Sequence, residues 1–184
     1  MLLYVIRHGK GERRTRDERN RLFTTLILDT GPRLAEVINL RRQDLDLRTG
    51  SLMIRKRRGA NNRIVRLCSD VIELVRSWRE RQADRIGAEA EHVFATLKGK
   101  PLQPRYLQAM VRRYGVRAGI EKHVHPCLLR HTCAMAFYRE THNVRDLQAN
   151  LGHSDLTTTS IYRRCSRGAR GSAQILSPSG RDEA

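Results

Sequence analysis

One stretch of this chain, SLMIRKRRGANNRIVRL at 51–67, alternates apolar and polar side chains about a Gly59-Ala60-Asn61-Asn62 centre. Elsewhere, apolar positions recur at helical spacing. A period of two belongs to a strand with one buried face, and a period near 3.6 to a helix with a buried stripe. The chain is therefore expected to be mixed and mainly α-helical, with a small antiparallel β-hairpin or sheet. LFTTLILDTG reads as a largely buried helix from Leu22 that stops at Gly31, and RLAEVINLRRQDLDL as a second helix with its exit. Ser69 or Asp70 can cap the helix VIELVRSWRERQADRI, and HVFAT is a short strand candidate. RYLQAMVRRYGVRAG should stop near Gly119, Pro126 should open a helix through LLRHTCAMAFYRET, and Asn143 should cap NVRDLQANLG. A short helix is expected around TTTSIYRR.

At 184 residues the chain is long enough for one domain with a substantial core. Residues 1–16 read as a basic arm, 17–165 as the folded domain, and 166–184, rich in Ser and Gly, as a flexible tail. Thirty-six Lys and Arg against 19 Asp and Glu give a formal net charge of +17. Arg far outnumbers Lys, and its planar fork suits bidentate phosphate contacts. Nucleic acid is the partner this charge favours. No apolar run approaches the ~20 residues needed to span a bilayer, and MLLYVIRHGK is too short in apolar character for a signal peptide. A cytoplasmic, nucleoid-associated protein without membrane contact is expected. The four cysteines form no CxxC pair and no disulfide framework, so reduced, mostly buried thiols are the default.

Three clusters of phosphate-suited residues lie far apart in the sequence. They are Thr30-Gly31-Pro32-Arg33-Leu34-Ala35-Glu36, then Leu128-Leu129-Arg130-His131, then Leu151-Gly152-His153 followed by Tyr162. His153 follows Arg130 by 23 positions, and Tyr162 follows His153 by 9. Taken singly, the tyrosine reads as a packed aromatic and the arginines as surface ion-pair residues. Together, in this order, the clusters resemble the TGxRxxE, HxLRH and LGHxxxxTTxxY boxes of the tyrosine recombinase (phage integrase) family. The resemblance spans about residues 17–165 and implies that family's catalytic-domain fold.

It also implies a chemistry: site-specific cleavage and rejoining of double-stranded DNA through a covalent 3′-phosphotyrosine. Tyr162 would be the nucleophile, Arg33, Arg130 and His153 would stabilise the phosphate, and Glu36 would support them from behind. A phenol can hold the phosphodiester linkage covalently, so rejoining needs no ATP. Two guanidinium forks can stabilise charge gathering on the non-bridging oxygens. No metal or nucleotide cofactor is implied. Two duplexes exchanging strands need four active sites, so a tetramer on synapsed DNA is the expected assembly.

The pattern departs from the family's at three places. Cys127 stands where the second box has its histidine, and His125 precedes it across Pro126. A thiol is a weak donor, and one missing oxyanion donor is worth about 3 kcal/mol, or ~100-fold in rate. In the hairpin, the family's general-acid lysine would fall on Arg58, whereas the only lysine there is Lys56. The two share a strand face, so Lys56 is taken as the general acid and Arg58 as a DNA contact, with His131 a further DNA contact. Lastly, only about twenty residues precede the first catalytic helix, a layout similar to short recombinases that lack a DNA-clasping domain and equally to a fragment of a longer mobile-element integrase. These departures motivate an alternative, a catalytically impaired, DNA-binding remnant of a mobile-element integrase; a type IB topoisomerase is a rival in chemistry. His123, His125, Cys127, His131 and Cys133 cluster in sequence, but no pair has a zinc-finger spacing.

Overall fold

The computed structural model describes residues 12–55, 62–87, 90–152, 159 and 162. Six α-helices and three short strands are described: α1 Glu12–Thr30, α2 Leu34–Ile38, β1 Leu45–Asp46, β2 Ser51–Ile54, β3 Arg63–Arg66, α3 Ser69–Ile86, α4 Pro104–Arg117, α5 Pro126–Thr141 and α6 Val144–Leu151. The strands form one antiparallel sheet in the order β1-β2-β3, with Leu52 opposite Val65 and Met53 opposite Ile64. Leu52, Ile54 and Val65 enter the core, while Met53 and Ile64 face outward, as a period of two requires.

Helix α1 is the centre of the molecule and packs against α3 and α5. It begins at Glu12, ten residues before the expected start at Leu22, and so runs through the expected boundary between arm and domain. The reason is that its buried stripe continues towards the N-terminus in polar side chains. Thr15, Arg19 and Asn20 are buried. The Arg19 guanidinium donates to Ala95 O at 2.9 Å and to the Tyr106 hydroxyl at 2.7 Å, and Asn20 Nδ2 donates to the Tyr114 hydroxyl at 3.1 Å. Buried polar groups are tolerated when hydrogen-bonded, and here the partners lie 76 to 94 positions away, with only Arg19 Nε among these groups left without one.

Several helix ends match expectation. Gly31 and Gly119 turn the chain with positive φ, Pro126 opens α5, and the Asn143 side chain accepts from Arg145 N and Asp146 N. Others differ. Cys68, not Ser69 or Asp70, holds the cap position of α3, and its backbone N–H is taken by Asp29 Oδ2 at 3.2 Å. HVFAT forms only two isolated bridges, Arg41 with His92 and Ala95 with Pro101. Thr159 and Tyr162, the described residues of the last expected helix, are helical. Of the three described cysteines only Cys133 is buried; Cys68 and Cys127 are exposed. No helix among the described residues is long and apolar enough to cross a membrane.

Candidate active site

Two helix ends meet beneath the site. The carbonyls closing a helix C-terminus lack intrahelical donors and carry partial negative charge, so a cation fits there. Arg130, on α5 and only 7% exposed, uses this twice. One terminal nitrogen donates to Gly31 O at the end of α1, and the other to Leu151 O at the end of α6, the latter at 2.8 Å. A guanidinium has five N–H groups, so three remain for a ligand. Burial, together with the nearby Arg33 and Arg63 and against the opposing fields of Glu36 and Tyr162, pushes Arg130 down to about 10. It is still protonated at neutral pH.

Gly31 is required at this junction. Its φ is +63°, and a Cβ there would lie 2.9 Å from Leu151 Cδ2 and 3.2 Å from Cys133 Sγ. Arg33 precedes α2 in extended conformation, and its half-exposed side chain reaches Gly152 O at a long 3.5 Å. Both arginines of the first two boxes are thus held by carbonyls at glycine turns.

Glu36 is the acceptor that organises this side of the site. Its carboxylate takes the Arg33 backbone N–H at 2.7 Å and both terminal nitrogens of Arg63 at 2.8 Å. Arg63, on β3, also donates through Nε to Asn150 O at 2.8 Å. Burial would raise the Glu36 carboxyl, but Arg63, the Arg33 N–H and the field of Arg130 outweigh it and hold it below its ordinary 4.5. Sequence reasoning missed Arg63. Its one signal was an arginine at an inward-facing end of a strand, and its pairing with a box carboxylate three elements earlier is something no periodicity reveals.

Removing one partner of a buried ion pair costs about 3–5 kcal/mol, because the other charge is stranded. Arg63→Ala is therefore expected to lower stability by that order, and adding Glu36→Gln should restore part of it; urea denaturation measures both. Glu36 is more acidic folded than unfolded, so its contribution is complete above its ordinary 4.5 and is lost as pH falls through the lower folded value. Glu36→Gln should flatten that acid limb.

Tyr162 is 3% exposed, and its ring packs with Ala134, Tyr138, Leu147 and Leu151 between α5 and α6. Its hydroxyl lies 2.7 Å from His131 Nδ1. Burial, then the positive Arg130 and then His125 push His131 below its ordinary 6.5, so the ring is neutral at pH 7. His131, expected as a DNA contact, thus has an intramolecular partner as well. Arg33, Arg130, His131 and Tyr162 line one cleft of about 1040 Å³, walled further by Arg105 and Arg112 on one face of α4 and by His125 and Cys127 at the start of α5. Lys56, Arg58 and His153 lie outside the described residues. Among the described residues no group of three His, Cys, Asp or Glu side chains is arranged to hold a metal.

The cleft is thus lined by a buried tyrosine and by two arginines held at helix ends. Residues 8–168 match the phage integrase family, and the chain belongs to that family. Among its relatives, the tyrosine recombinase XerC of Xanthomonas campestris pv. campestris (strain B100) is 36% identical over 144 residues, which is 78% of this chain and 44% of that protein. XerA of Thermococcus kodakarensis is 33% identical over 150 residues, 80% of this chain and 51% of that one. The chain therefore spans about half the length of the curated relatives it matches. The crystal structure of XerH site-specific recombinase bound to its difH substrate, a pre-cleavage complex, superposes with a TM-score of 0.75 at 30% identity, covering 92% of this chain and 49% of that one. The fold is that of a tyrosine recombinase catalytic domain.

Proposed function

We infer that this chain is the strand-cleaving and rejoining core of a site-specific DNA recombinase. The observation that carries this reading is the Tyr162 hydroxyl, hydrogen-bonded to a neutral His131 in the same cleft as Arg33 and Arg130. In the proposed step, Tyr162 Oη attacks the scissile phosphorus, and the phenol proton passes to His131 Nδ1. The bond to the 5′-oxygen breaks, leaving a 3′-phosphotyrosine and a 5′-hydroxyl, and Lys56 supplies the proton to that oxygen. Arg33, the free N–H groups of Arg130 and His153 stabilise the pentavalent phosphate. Arg58, Arg105, Arg112 and the cleft face of His131 contact the DNA backbone. The reverse step rejoins the strand without an energy source.

The activity is set on duplex DNA in the cytoplasm, on the nucleoid, by four copies on two synapsed duplexes. A randomised pool of nicked duplexes, in which the cleaved end diffuses away, tests it. The expected result is DNA held to the protein through SDS denaturation, with one site enriched on sequencing. No SDS-resistant complex from such a pool would contradict the reading, and relaxation of supercoiled plasmid without an enriched site would favour the topoisomerase.

A further inference from the structure

The cleft is lined by two imidazoles, His123 and His125, that neither the tyrosine nor the core accounts for, and of these His125 is held by a helix end. His125 is the N-cap of α5, with φ −143° and ψ 161°, and its Nδ1 accepts from Leu128 N at 3.3 Å, a donor shared with His125 O at 2.9 Å. An Nδ1 that accepts carries no proton, so in the neutral ring the proton sits on Nε2. The helix cap therefore selects the tautomer and fixes the ring. His125 lines the same cleft as Arg33, Arg130 and Tyr162, and its field reaches His131. Its neighbour Cys127 is exposed in that cleft and offers only a thiol. The ring of His123 lies 5.8 Å away at an interplanar angle of 31°, backing the His125 ring.

The geometry points to His125 as a catalytic residue of this chain, its Nε2–H donating to a non-bridging oxygen of the phosphate that Tyr162 attacks. The helix cap and the phosphate contact use the two nitrogens of one ring. The proton stays on Nε2 throughout, so no further base or cofactor is needed. This role rests on the strand-cleavage reading above.

His125→Ser separates the two uses, because serine is a good N-cap but carries no donor that reaches into the cleft. With the duplex enriched from the randomised pool and protein at saturating concentration, His125→Ser is expected to form the covalent complex about 100-fold more slowly. Adding Cys127→His places an imidazole back in the cleft and should recover at least about tenfold of that loss. Long-range ¹H–¹⁵N spectra should show His125 protonated on Nε2. Equal complex formation by the unaltered protein and His125→Ser would overturn the role of His125 alone, as would a ring protonated on Nδ1. No covalent complex from any of the proteins would overturn the strand-cleavage reading and this role with it.

Discussion

Tyr162→Phe is expected to bind DNA with unchanged affinity and to form no detectable covalent complex. The phenylalanine ring keeps its place against Ala134, Tyr138, Leu147 and Leu151. Only the hydroxyl is lost, and with it the bond to His131 Nδ1. His131 is half-buried, so its ring loses one partner at a cost of about 1 kcal/mol. Tyr162→Ala would instead empty a buried aromatic site at about 3–5 kcal/mol, confusing stability with chemistry. Residual cleavage by Tyr162→Phe on the enriched duplex would mean that another residue is the nucleophile. If His131 takes the phenol proton, cleavage by the unaltered protein should also fall as pH drops through the depressed His131 value below 6.5, where the ring becomes protonated.

Arg130→Ala should do more damage than a lost phosphate contact. The side chain ties Gly31 O to Leu151 O and so joins the ends of α1 and α6. Hydrogen bonds from a charged donor contribute about 1.5–3 kcal/mol each. Their removal leaves two carbonyls without that donor beneath the site, so a loss of several kcal/mol in urea denaturation is expected. Cleavage, measured well below the unfolding midpoint, should fall by about 100- to 1000-fold. Arg130→Lys separates charge from geometry. A lysine keeps the cation, but its compact ammonium lacks the planar fork that spans two carbonyls while still presenting donors to a ligand. It is expected to be intermediate in stability and close to Arg130→Ala in cleavage. Full stability of Arg130→Ala would show that the carbonyl bridge contributes nothing.

Much of the site was legible because its residues stand at helix ends, and helix ends have sequence signals. Gly31, Pro126 and Asn143 mark where α1 stops and where α5 and α6 begin. Arg33, Arg130 and Tyr162 follow from those marks and from the box spacing. What escaped sequence reasoning depends on partners far away in the chain. The first turns of α1 are buried through Arg19 and Asn20, whose acceptors come from α4 and from the segment before it. Arg63 acquires its meaning from Glu36 and Asn150. The thiol at Cys127 looked like a simple deficit, whereas the neighbouring His125 already faces the cleft as the cap of α5. The His131 contact with Tyr162 needs α5 and the last helical segment to meet, a tertiary event that neither segment encodes alone.

In the proposed chemistry, DNA becomes linked to this protein through one phenolic oxygen. Its most direct test is mass spectrometry of the covalent complex after nuclease and protease digestion. The expected product is a residual nucleotide, joined through its 3′-phosphate, on the peptide containing Tyr162 and on its tyrosine. A nucleotide on any other residue, or a linkage through a 5′-phosphate, would contradict it.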